Sequence, residues 1–77
     1  MNITVYTMQG CSFCQQLKKF LSDKQITYVE RDISKNENFR NEFLDRKGQA
    51  VPLTIINDEQ EFLGFNDALK SALEELS

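Results

Sequence analysis

Two cysteines stand three residues apart in "TMQGCSFC" (residues 7–14), and the chain contains no others. Three uses compete for such a pair: a dithiol that cycles to a disulfide, half of a metal site, or a short structural staple. A four-ligand zinc site needs two more cysteines or histidines, and the chain has no histidine. A staple is a weak reading, because closing so short a loop removes little entropy from the unfolded chain. The redox reading gains positive support from the residues just after the pair. "QQLKKFLSDK" reads as helix, so Cys11 falls where a helix begins. There the free N–H groups of Phe13 and Cys14 can point at its sulfur, and the helix dipole adds positive potential. In such settings a thiol pKa falls from about 8.5 into a range of roughly 3.5 to 7.5, which makes the attacking thiolate available at neutral pH. Cys14, one turn inward on the apolar side, is expected to be the more buried. Cys11 is therefore read as the nucleophile that forms a mixed disulfide, and Cys14 as the thiol that resolves it.

The elements that must hold this pair are set by periodicity. "NITVYT" (2–7) is β-branched and aromatic, with Ile3 and Val5 on one face, and reads as a strand. Phe13, Leu17, Phe20 and Leu21, joined by Cys14, make an apolar stripe at helical spacing that ends near Lys24, while Lys18 and Lys19 read as solvated. "ITYVERDI" (26–33) returns to strand composition, and "KNENFRNEFLDRKG" (35–48) turns helical, with Gly48 as its stop, completing a second crossover. "AVPLTIIN" (50–57) and "EFL" (61–63) are two further strands around a polar turn. "NDALKSALEELS" (66–77) is a last amphipathic helix built on Ala68, Leu69, Ala72, Leu73 and Leu76. The order βαβαββα implies an α/β fold: a four-stranded mixed sheet with helices on both faces, the first two strands parallel and the last two a hairpin. The loop after the first strand, where Cys11 lies, is where such sheets place their chemistry.

Seventy-seven residues with 40% apolar content suit one domain with a lean core. No stretch approaches the roughly 20 apolar residues of a membrane span. A net charge of −3 without a basic cluster argues against nucleic acid or anionic lipid as partner. The start "MNITVYT" lacks a basic segment leading into an apolar one, so the expected location is a reducing cytosol, and the expected state a monomer.

"VYTMQGCSFCQQLKKFL", then "VPLTII", then "LGFNDAL" resemble, in order and without a large insertion, the glutaredoxin family of the thioredoxin fold. The resemblance implies a thiol–disulfide oxidoreductase with no bound cofactor and a cis Val51–Pro52 bond facing the cysteines. It also implies a substrate surface that includes Phe13, Val51, Pro52, Gly64, Phe65 and Asp67. Members of the family that use glutathione carry a lysine before the cysteines and a double glycine before the last helix. Here Met8 and Leu63-Gly64 stand in those places, while Val51 and Asp67 remain. The "GF" of "LGFND" resembles the NrdH-type redoxins, which take electrons from thioredoxin reductase and NADPH and pass them to a disulfide-bearing client, a ribonucleotide reductase. A glutathione-dependent glutaredoxin is the alternative within the family. A soft-metal or iron–sulfur module is the alternative outside it. Copper carriers of the MxCxxC kind run βαββαβ, and Met8 lies one position too early for their motif; some glutaredoxins with serine at the Ser12 position share a cluster between two chains and glutathione.

Overall fold

The computed structural model describes residues 2–76. The chain runs β1 (Ile3–Thr7), α1 (Ser12–Asp23), β2 (Val29–Asp32), α2 (Glu37–Asp45), β3 (Leu53–Ile56), β4 (Gln60–Leu63) and α3 (Asp67–Leu76). One mixed sheet has the order β2-β1-β3-β4, with β1 parallel to β2 and antiparallel to β3, and β3 antiparallel to β4. The expected α/β fold is present. The second connection, however, does not make another parallel βαβ unit: α2 returns the chain on the far side of β1, and β3 enters antiparallel.

Alternation along the strands sorts the core into two layers. Ile3 and Val5 of β1 and Ile56 of β3 face Leu17 and Leu21 of α1 and Leu69 and Leu73 of α3. Tyr6, Leu53 and Ile55 point the other way and bury Phe43 of α2. Helices therefore cover both faces, α1 and α3 on one and α2 on the other.

Several boundaries are shorter than the sequence pattern suggests, and each has a local cause. Strand β2 begins at Val29 rather than Ile26 because Ile26 is still occupied in ending α1. Its N–H donates to Leu21 O at 2.9 Å and that of Gln25 to Ser22 O at 3.0 Å, with Gln25 in the left-handed region at φ 58°. This is the paired-bond helix stop in which one residue turns left-handed and the next packs back. Helix α2 begins only after Asn36, whose side chain accepts from the N–H groups of Asn38 and Phe39 and so caps the first turn. Strand β3 starts at Leu53, not Ala50. Ala68 and Phe13 are exposed rather than on the buried stripes. The expected end of the last helix at Ser77 lies outside the described residues.

Gly48 is a stop for α2, but not through its own backbone conformation. Lys47 carries the left-handed turn, at φ 61°, and Gly48 N–H donates to Phe43 O at 2.9 Å. What requires glycine is proximity: a Cβ at Gly48 would lie 2.5 Å from the buried Phe43 ring. Gly48→Ala is therefore expected to cost about 1–3 kcal/mol, the usual range for overpacking. Denaturant unfolding checks this, and a loss below about 0.5 kcal/mol, the scale of a surface change, would show that the ring moves aside freely.

Candidate active site

Strand β1 delivers the chain to a turn at residues 8–10, where Gly10 adopts φ 77°, a conformation open to glycine without steric cost. Cys11 comes next with extended backbone, φ −93° and ψ 109°, and is the N-cap of α1. Helix caps ordinarily accept through a serine, threonine, aspartate or asparagine oxygen. Here the acceptor is sulfur: of the two expected donors, Cys14 N–H supplies the bond to Cys11 Sγ, at 3.1 Å. The two sulfurs are joined in a disulfide with Cα atoms 5.2 Å apart, so this is the oxidised chain. Cys11 is half-buried and Cys14 fully buried, as their places on the helix require.

The start of β3 approaches from the side. The Val51–Pro52 bond is cis, Pro52 is buried, and Val51 O lies 3.9 Å from Cys11 Sγ. The β1–β3 ladder begins only at Leu53, which leaves the Val51 backbone outside it. Gly64, at φ 84°, donates its N–H to Pro52 O at 2.8 Å and so ties the turn after β4 to the same corner. A Cβ there would meet nothing within 4 Å, so the backbone angle rather than crowding calls for glycine. Phe13 and Met8 flank the pair at 55% and 43% exposure, an apolar rim beside a half-exposed sulfur.

Phe65 and Asp67 follow Gly64 where the chain enters α3. The Phe65 ring packs edge-on against Phe20 at 5.8 Å, beneath the Lys70 ammonium at 4.9 Å, as part of the core layer under α1 and α3. Asp67 is exposed in the first turn of α3. The adjacent Asn66 accepts from Leu69 N–H at 3.1 Å and donates to Leu63 O at 3.2 Å. Among the described residues no group of three or more His, Cys, Asp or Glu side chains could hold a metal ion, and no helix is long and apolar enough to cross a membrane.

The glutaredoxin family model matches residues 3–61, a span that holds both cysteines and the cis proline and stops before Gly64. The chain belongs to the glutaredoxin family. Its relatives include glutaredoxin 3 of Escherichia coli strain K12, 32% identical over 66 residues, covering 86% of this chain and 80% of the relative. The glutaredoxin-like protein NrdH of Lactococcus lactis is also 32% identical, over 63 residues, with 82% and 86% covered. Among solved structures, the thioredoxin-like protein BC3987 superposes with a TM-score of 0.82 at 31% identity, covering 99% of this chain and 100% of its own. As a glutaredoxin-family member, the chain is a thiol–disulfide oxidoreductase whose CxxC cysteines form the redox disulfide.

Beneath this glutaredoxin-family disulfide lie contacts that the sequence reading passes over. Lys18 is not a merely solvated cation. Its ammonium pairs with Glu30 at 3.0 Å, and the same carboxylate oxygen accepts from the buried Thr7 hydroxyl at 2.8 Å, joining α1, β2 and the end of β1. Asp32, at the end of β2, accepts both the hydroxyl and the N–H of Ser34. The Ser34 hydroxyl is the main reason that the Asp32 carboxyl is held below its ordinary range. Glu30, Asp32 and Lys18 border a cleft of about 700 Å³ that opens beside Met8, Gly10 and Gln15. The sequence does hold one signal for this: an aspartate two residues before a serine, between a strand and a helix, marks a turn closed by the aspartate side chain.

Proposed function

We propose that the chain acts as a monomeric, single-domain dithiol reductant of the NrdH type, with no bound cofactor, in a reducing cytosol. It takes electrons from thioredoxin reductase and NADPH and reduces a disulfide-bearing client protein, a ribonucleotide reductase being the client that this branch suggests. The observation that carries the reaction is the asymmetry of the pair, a half-exposed, N–H-capped Cys11 sulfur backed by a fully buried Cys14.

The Cys11 thiolate attacks one client sulfur, the client S–S bond breaks, and the other client sulfur leaves as a thiolate that takes up a proton. Cys14 then loses its proton and attacks Cys11 Sγ; the Cys11–Cys14 disulfide forms and the second client sulfur leaves. Two electrons have moved from the chain to the client, and a reductase dithiol returns them. The Val51 backbone, outside the ladder, is suited to pairing with an extended client segment, and Phe13 with Pro52 and Gly64 would border it.

Support for the donor comes from the place where a glutathione carboxylate would need a cation, which holds the exposed thioether of Met8, and from the Phe65 ring turned into the core. The L. lactis NrdH relative points the same way. Asp67 at the first turn of α3 and the E. coli glutaredoxin 3 relative favour the glutathione-dependent reading instead. One assay separates them: NADPH oxidation with a test disulfide, run with thioredoxin reductase alone and with glutathione plus glutathione reductase. Activity in the first arm only is expected. Activity in the second arm only would overturn the proposed donor and make Val51 and Asp67 the glutathione contacts.

A further inference from the structure

We infer that Ser34 is a positioning residue for Cys11, holding in place the turn on which the reactive sulfur is carried; the inference rests on the reading of Cys11 as the nucleophile. The last bond joining β1 to the connection after β2 is Ile33 N–H to Thr7 O, at 2.8 Å. Beyond it, the turn at residues 8–10 is tied to that connection by Gln9 N–H donating to Ser34 Oγ at 3.2 Å. A serine hydroxyl owns a single proton. Here the proton goes to Asp32 Oδ1, which also accepts Ser34 N–H at 2.8 Å. The hydroxyl is thereby left with only lone pairs to offer Gln9, so its orientation is fixed instead of rotating freely. An aspartate is ionised at neutral pH in any case, and the Ser34 bonds lower its carboxyl further, so the acceptor that fixes the hydroxyl is present there.

Cys11 lies two residues beyond Gln9, and its sulfur must meet Cys14 N–H at 3.1 Å for the cap to form. Freeing the turn lets the Cys11 backbone leave its capping angles and weakens the N–H···S bond that favours the thiolate. Ser34 is exposed, and removing its hydroxyl frees the Gln9 N–H and at the same time takes one donor from Asp32 Oδ1. Of the charged groups bordering the same cleft, Lys18, Glu30, Asp32 and Lys35, the one bonded to the Ser34 side chain is Asp32, whose carboxyl moves back toward its ordinary range in Ser34→Ala and still stays ionised where Cys11 is alkylated.

The test measures alkylation of the fully reduced chain by iodoacetamide across pH, with peptide mapping of the modified cysteine, for the parent, Ser34→Ala and Ser34→Thr. In the parent, Cys11 is modified first. Ser34→Ala is expected to move the pH midpoint upward and to slow Cys11 alkylation about fivefold at pH values below the parent midpoint, the worth of one ordinary hydrogen bond. Ser34→Thr, which keeps the hydroxyl, restores the parent profile. A parent-like midpoint in Ser34→Ala overturns the inference, as does a threonine variant that fails to restore it. First modification at Cys14 would instead overturn the assignment of the nucleophile, and this inference with it.

Discussion

Cys11→Ser is expected to reduce disulfides no faster than the uncatalysed background, while Cys14→Ser stops at a covalent complex with its client. The two outcomes differ because the two sulfurs occupy different surroundings. Cys11 is reachable, receives the Cys14 N–H, and stands at the positive end of α1, so it can attack as a thiolate; a serine hydroxyl in its place stays protonated. Cys14 is fully buried and meets only what is already bound to Cys11. With serine at residue 14 the first exchange still occurs, but nothing resolves the mixed disulfide. Turnover with a protein disulfide, together with non-reducing electrophoresis and intact mass, reads both results. A Cys11 variant that turns over normally would falsify the assigned roles, and so would a Cys14 variant that releases its client at the parent rate.

The largest stability effect is expected from Leu17→Ala. Leu17 has no exposed surface and lies one turn from Cys14 on the line of α1 that meets Ile3, Val5, Ile56, Leu69 and Leu73. Truncating a buried leucine removes transfer energy and leaves a cavity, together about 2–5 kcal/mol. For a domain of this size each kcal/mol moves Tm by about 4–8 °C, so calorimetry should show a fall of at least about 8 °C. Typical domains have only about 5–15 kcal/mol in hand, so such a variant also populates open states in which Cys14 reacts with alkylating reagents. A Tm within about 3 °C of the parent, an interval too small for a cavity by the same relation, would mean that α1 closes over the gap.

How much of this was legible depends on whether a residue's task is local. The line Cys14–Leu17–Leu21 is fixed by helical spacing, and β1 by its alternating branched residues, so both are read correctly from the sequence. Phe13 allows two readings, the start of the apolar stripe or a surface beside Cys11, and its exposure rules out the first. It lies on the Phe20 edge of the stripe and in the first turn of α1, where side chains lean toward the helix N-terminus, and its ring is exposed. The left-handed Gln25 and Lys47 are hidden because the turn is assigned by default to glycine, while Gly48 is retained for the Phe43 ring. The reversal of β3 is not written in any single element, since it depends on which side of β1 the chain returns. Likewise the Thr7–Glu30–Lys18 and Gln9–Ser34–Asp32 contacts join β1 and its turn to residues far along the chain, with Glu30 23 positions from Thr7 and Ser34 25 positions from Gln9. Each residue alone looks like ordinary surface.

A sulfur that caps its own helix couples two equilibria that are usually separate. The Cys14 N–H bond to Cys11 is stronger when the sulfur is an anion than when it is half of a disulfide, so α1 is better capped in the reduced chain. By thermodynamic closure, whatever stability the fold gains on reduction must reappear as a more oxidising couple than the same four residues have in an unfolded peptide, about 30 mV for each 1.4 kcal/mol. Substitutions that loosen the start of α1 therefore change the driving force for client reduction as well as its rate. A less well capped helix makes a stronger reductant and a less readily formed thiolate, two consequences that pull turnover in opposite directions.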